Sequence, residues 1–234
     1  VTPLAPVVPV PVPVPTPTAS AIVPSPTPEV PVSPTPTDPV GFKDVPAGYW
    51  AAPFIAALAQ QEIVAGFQDN TFLPNKPVTR AEFATFLRKA SSRPKNQPSL
   101  RFKDLPAGYW AASAIDEAVQ MGFLNGYPDG TFRPDQKITK AQGLVSVATG
   151  LQLPSPADPA AVVQRFEDAG AILPYAVPKI AAATTAGLVA NYPTATQLAP
   201  TQEMTRADAS VLIHQMLVKE GKVPPVNSQF LIQP

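Results

Sequence analysis

Phe42-Lys43-Asp44-Val45-Pro46-Ala47-Gly48-Tyr49-Trp50 returns 60 residues later as Phe102-Lys103-Asp104-Leu105-Pro106-Ala107-Gly108-Tyr109-Trp110. A worn third copy begins at Phe166-Glu167-Asp168, with Tyr175 near the tryptophan position. Each copy leads into an apolar stretch, a turn and a tetrad: Thr79-Arg80-Ala81-Glu82, Thr139-Lys140-Ala141-Gln142 and Thr205-Arg206-Ala207-Asp208. Thr79 and Thr139 are also 60 residues apart. A period carried by several separate markers means one supersecondary unit used three times, and such units share a core because none can bury its apolar face alone.

Within a unit the apolar spacing predicts two helices. In the first, Trp50, Phe54, Ile55, Leu58 and Ile63 recur at helical intervals over Trp50–Ala65, and Gly66 is the expected stop. The turn Gln68-Asp69-Asn70-Thr71 follows, then a helix after Thr79 that buries Phe83, Phe86 and Leu87. The second unit repeats this with Trp110–Phe123, a turn through Gly126 and Asp129-Gly130, and a helix after Thr139. The third gives Tyr175–Val189, a turn at Asn191-Tyr192-Pro193, and a helix after Thr205 with Ala209, Leu212, Ile213 and Met216 inward. The expected fold is all-α: three helix–loop–helix repeats in a pseudo-threefold helical bundle. The expected boundaries are a Pro-rich arm at 1–40, repeats at 41–91, 100–150 and 164–218, and a tail at 219–234. Ser91–Ser99 and Leu151–Pro159 read as connections, and the tail, with Pro224-Pro225, reads as loosely ordered or cut from a longer chain.

Composition narrows the function. The 234 residues are 45% hydrophobic and 15% charged, with a net charge of zero. Lacking a basic stripe, the chain is a poor ligand for nucleic acid, which needs clustered Lys and Arg to neutralise phosphates. Low charge equally argues against an anionic membrane surface. With no cysteine, disulfides and Cys-based zinc sites are excluded. The chain begins at Val1 and reads as a processed form or an excised piece, with any secretion signal removed from view. Its most apolar region, Ala169–Ala190, is broken by Pro174, Pro178 and Lys179, so no membrane span is expected. Many of the 33 prolines crowd the first forty positions, where proline stops both helix and sheet. Polyproline II at about 3.1 Å per residue would let that arm reach roughly 120 Å. A spacer, a ligand for a proline-binding domain and a glycosylated stalk are the three readings of it.

The tetrad is a capping box: the threonine accepts the N3 amide and the acid or amide side chain at N3 reaches back. Capping accounts for Thr79 with Glu82, Thr139 with Gln142 and Thr205 with Asp208. It leaves Arg80, Lys140 and Arg206 unexplained, because a cation in the first turn opposes the helix dipole by about 0.3–1 kcal/mol where exposed. Either each cation is solvated or salt-bridged, or it joins free first-turn amides in holding a carboxylate or phosphate. Trp50 and Trp110 fit core packing or a stacking face for a sugar ring. Asp69 and Asp129 fit turn formation; as oxygen ligands they fall short of a calcium loop. No catalytic constellation emerges. The lone His214 is mid-helix, and adjacent Glu167-Asp168 is not a facing carboxylate pair.

The ordered series Phe-x-Asp, Tyr-Trp-Ala, Asp-Gly/Asn-Thr-Phe-x-Pro and Thr-Arg-Ala-Glu resembles the S-layer homology domain over residues 42–90, 102–150 and 166–218. The resemblance implies a three-pronged spindle whose inter-unit grooves bind secondary cell-wall polysaccharide linked to peptidoglycan, often through a pyruvylated amino sugar. It implies a non-catalytic anchor in the cell envelope, with no cofactor and no metal, since enzymes of the family carry catalysis on another domain. The implied carbohydrate-binding residues are Arg80, Lys140, Arg206, Thr79, Glu82, Gln142, Trp50, Trp110, Gly66, Gly126, Asp69 and Asp129. Lys140 lacks arginine's planar fork, and Asn191 stands where the first two units have glycine. The arm and the Ala/Val/Gln/Pro-rich composition are similar to cyanobacterial members that tether the outer membrane. An envelope protein meeting the arm or the tail is the further implied partner. The competing reading is an assembly module that binds protein and no sugar.

Overall fold

The computed structural model describes residues 41–234; the Pro-rich arm expected over 1–40 lies outside them. Among the described residues there are seven α-helices: α1 (Ala52–Gln60), α2 (Arg80–Ala90), α3 (Ala112–Gln120), α4 (Lys140–Gly150), α5 (Pro159–Val163), α6 (Val177–Thr185) and α7 (Arg206–Lys219). Among the described residues β-structure is limited to isolated bridges. The all-α repeat architecture expected from the sequence is the one observed.

The first helices are shorter than their apolar spacing suggested. α1 stops at Gln60, not at Gly66, because Glu62 turns into the left-handed region (φ 56°). Gly122 and Gly187 hold the same place after α3 and α6, at φ 80° and 73°. In each case the left-handed residue and its successor bond back into the last turn, as Glu62 N–H to Ala59 O and Ile63 N–H to Leu58 O do, each at 3.0 Å. The glycines at 122 and 187 carry that stop signal in the sequence. Unanticipated α5 lies where a connection was expected to end; Asp158 caps it and Pro159 fills its first position.

The second helix of each unit packs on the first helix of the next: α2 on α3, α4 on α6, and α7 back on α1. That order closes a ring. Just before α2, α4 and α7, three backbone segments meet and exchange hydrogen bonds in a cycle. Ile138 N–H donates to Val78 O (3.1 Å), Val78 N–H to Met204 O (2.9 Å), and Met204 N–H to Ile138 O (2.8 Å). Val78, Ile138 and Met204 are all buried, and so the pseudo-threefold axis runs through apolar core. The expected inward residues of the second helices, Phe83, Phe86, Leu87, Ala209, Leu212, Ile213 and Met216, are buried. His214 is 1% exposed and packs edge-on against Phe54, a core histidine.

The tail departs from expectation. Instead of hanging loose, residues 230–232 pair with 189–191: Asn191 N–H donates to Phe230 O and Ile232 N–H to Val189 O, both at 2.9 Å.

Candidate functional site at the unit junctions

All three capping boxes form. Thr79 Oγ1 accepts from Glu82 N–H at 3.1 Å while a Glu82 carboxylate oxygen accepts Thr79 N–H at 2.7 Å, and Thr139/Gln142 and Thr205/Asp208 repeat the pair. The remaining first-turn amides are not free, contrary to the sequence expectation. Each crosses to the next unit. Arg80 N–H and Ala81 N–H donate to Gln136 O and Pro134 O; Lys140 and Ala141 to Gln202 O and Pro200 O; Arg206 and Ala207 to Lys76 O and Pro74 O. Inter-unit carbonyls therefore take the donors that an anion would need.

The cations point into the same junctions. Arg206 is 1% exposed; its Nε donates to Phe72 O (2.7 Å) and its Nη2 to Ala65 O (2.8 Å), both in the first unit. Its guanidinium lies over the rings of Phe72, Phe67 and Phe86. Desolvation pushes its pKa down to about 10, which leaves it charged at neutral pH. Arg80 makes the equivalent reach into the second unit, from Nε to Phe132 O and from Nη2 to Asn125 O, both 2.8 Å, with Phe132 and Tyr127 against its planar face. Carbonyl dipoles and π-faces of the neighbouring unit thus compensate a charge that its own helix disfavours.

Lys140 differs. It is buried, but its Nζ lies 3.8 Å from Asp208 Oδ1 and forms no hydrogen bond among the described residues. Leu198 occupies the place of Phe72 and Phe132, so a missing fork meets a missing ring. A cavity of about 20 Å³ remains beside Lys140, Asn191 and Asp208, and the buried Asn191 Oδ1 has no hydrogen-bond partner.

The glycines serve the backbone. A Cβ at Gly66 would run into the Phe42 ring and stand 2.7 Å from Thr71 O; one at Gly126 would meet the Phe102 ring and stand 3.1 Å from Thr131 O. Asp69 and Asp129 build the turns, each accepting from the backbone N–H and hydroxyl of the threonine two residues on. Thr131 and Arg133 hold Asp129 down at about 2, below the usual carboxylate range. A depressed carboxyl contributes stability above its unfolded value that is lost as pH falls through the folded one. Thermal melts between pH 2 and 5 are expected to steepen on the acid side for the parent and to flatten for Asp129→Asn; identical slopes would remove this role.

The two tryptophans have unequal surroundings. Trp110 is 41% exposed, and the ring beside it is its neighbour Tyr109. Trp50 is half-buried and stacked on Tyr192. Sequence reasoning singled out the tryptophans but missed Tyr109. Its hydroxyl donates to Asp135 at 3.2 Å, and burial, Asp135 and the charge of Glu82 in the first unit push it up to about 12. It missed the repeated Phe-x-Asp carboxylate as well. Asp44 accepts Phe72 N–H and Leu73 N–H, both at 2.8 Å. Asp104 accepts Phe132 and Arg133 N–H, and Asp168 accepts Leu198 and Ala199 N–H. Leu73, Arg133 and Ala199 all have positive φ, so the carboxylate pins a strained corner, the same corner whose carbonyl receives Arg80 or Arg206. Recurrence of Asp in all three units was the available signal.

Comparison with known proteins fits this construction. Over 118 residues (48% of this chain, 26% of the relative) the chain is 36% identical to a cellulosome-anchoring protein of Acetivibrio thermocellus. It is 31% identical over 176 residues to an amylopullulanase of Thermoanaerobacterium thermosulfurigenes (74% and 9%), and 25% identical over 183 residues to a surface-layer 125 kDa protein of Lysinibacillus sphaericus (77% and 15%). The chain thus spans about a quarter or less of these relatives' lengths. The family model described as the S-layer homology domain matches residues 41–84, 101–142 and 165–210, together more than half of the sequence. The chain therefore belongs to the S-layer homology domain family, a cell-surface and wall-anchoring class.

Proposed function

We propose that this chain is a non-catalytic anchor that holds its protein to the cell wall by binding an acidic, peptidoglycan-linked polysaccharide at the junctions between its units. The observation that carries the reading is the junction between the first and second units. There Arg80 and Glu82 of one unit lie in the same interface as Tyr109 and exposed Trp110 of the other. Two of the Arg80 nitrogens are held by backbone carbonyls, leaving Nη1 as the edge for a ligand carboxylate such as a ketal-linked pyruvate. Trp110 offers a flat apolar face to a sugar ring. Thr79, Gln142, Gly66, Gly126, Asp69 and Asp129 support this surface by fixing helix starts and turns. Lys140 and Arg206 stand at the equivalent places of the other two junctions. The Pro-rich arm is a spacer within the envelope, in the manner of an outer-membrane tether. The repeats occupy 41–91, 100–150 and 164–218.

The test is sedimentation of the full chain with purified walls before and after the polysaccharide is stripped. Intact walls should carry the chain down and stripped walls should not. Arg80→Lys keeps the charge and loses the fork, and is expected to weaken retention roughly ten-fold with the fold retained by circular dichroism. Equal retention on stripped walls would sink the saccharide reading; capture by wall protein would favour an assembly module instead.

A further inference from the structure

Pseudo-threefold symmetry makes Trp50 and Trp110 equivalent, yet only one is open. Trp50 lies parallel to Tyr192 of the third unit (centroids 5.0 Å apart, planes at 3°), and Phe230 stands edge-on to both rings, at 6.0 and 5.1 Å. Phe230 is brought there by the tail. Its own carbonyl accepts Asn191 N–H, Ile232 N–H donates to Val189 O, and farther along Arg165 Nη1 donates to Gln233 O at 2.8 Å. The tail therefore pairs with the 189–191 segment through an isolated β-bridge and lays a ring over the seam between the third and first units. The corresponding segment at the first–second junction is 64–66 of the first unit, and no tail segment pairs with it among the described residues.

We infer that residues 228–232 are a built-in cover that closes the third–first junction, so that the first–second junction, with Trp110, is the one that takes the saccharide. The inference rests on the anchoring reading above and assigns that function to one junction. Trp50 is one of only two tryptophans in the chain, and this gives the cover a readout independent of any sugar. In a Trp110→Phe background Trp50 is the sole tryptophan. Acrylamide should quench it weakly, and Phe230→Ala should at least double the quenching. Ile232→Pro, which removes the N–H that holds the tail to Val189, should do the same while circular dichroism stays native. Unchanged quenching in both variants overturns the cover.

Wall sedimentation then assigns the junction. Trp110→Ala is expected to lower retention roughly ten-fold, the size of one aromatic contact. Trp50→Ala should lower it less than two-fold in the intact chain. Equal losses from the two substitutions would overturn the assignment and leave the anchoring function standing. Failure of the parent chain to sediment would sink the anchoring function, and the quenching result would still decide whether the tail covers Trp50.

Discussion

Arg206→Ala is expected to lower stability by about 4 kcal/mol, read as a shift in the urea midpoint at unchanged slope. Removing the side chain takes the donors from Ala65 O and Phe72 O at a seam where Arg206 is 1% exposed. An acceptor left buried without a donor costs about 1–3 kcal/mol. The rings of Phe67, Phe72 and Phe86 lose the plane that lies over them. Arg206→Lys should recover part of the loss, because an ammonium can reach one carbonyl but cannot bridge two. A change below 1 kcal/mol for Arg206→Ala would mean that the junction does not depend on the guanidinium. The consequence for function is practical. At Arg80 and Arg206 an alanine substitution removes inter-unit packing and any ligand contact together, so loss of wall binding in Arg80→Ala alone would not identify a ligand residue.

Asp104→Ala should cost about 3 kcal/mol. Its carboxylate accepts Phe132 N–H at 2.8 Å and Arg133 N–H at 2.6 Å, and Arg133 is held at φ 58°. Without the acceptor the corner can relax toward negative φ and carry Phe132 O away from Arg80. The loss should therefore not add to that of Arg80→Ala: a double-mutant cycle is expected to give a coupling above about 0.5 kcal/mol. Strict additivity would show that corner and arginine act separately. Asp104→Asn retains one acceptor oxygen and should lose about half as much.

The repeat, the helix pairs and the caps were legible because each rests on local chemistry: apolar spacing, a Thr-x-x-Glu box, a turn built by Asp-Gly. The family resemblance followed from the order of those markers. What the sequence did not reveal depends on what each unit meets. Nothing local to Thr79-Arg80-Ala81-Glu82 says that Arg80 N–H will find Gln136 O, or that the side chain will cross to Asn125 O. The first-turn amides were therefore read as open when partners distant in sequence occupy them. The same holds for Phe230, which looked like part of a loose tail because its partner, Asn191, is 39 residues away. Helix ends at Gln60, Gln120 and Thr185 were overrun because apolar residues continue beyond them, into buried segments that are not helical. Gly122 and Gly187 could have marked two of the three.

The cycle of bonds joining Val78, Ile138 and Met204 bears on how such a module can be made and altered. A closed triangle has no vacant side. During synthesis the first two units emerge with one seam made and two lacking their third party, so the native arrangement becomes available only once α7 has left the ribosome. The same closure fixes the copy number: a fourth unit appended to the chain would find every side of the triangle taken and would have to begin another module.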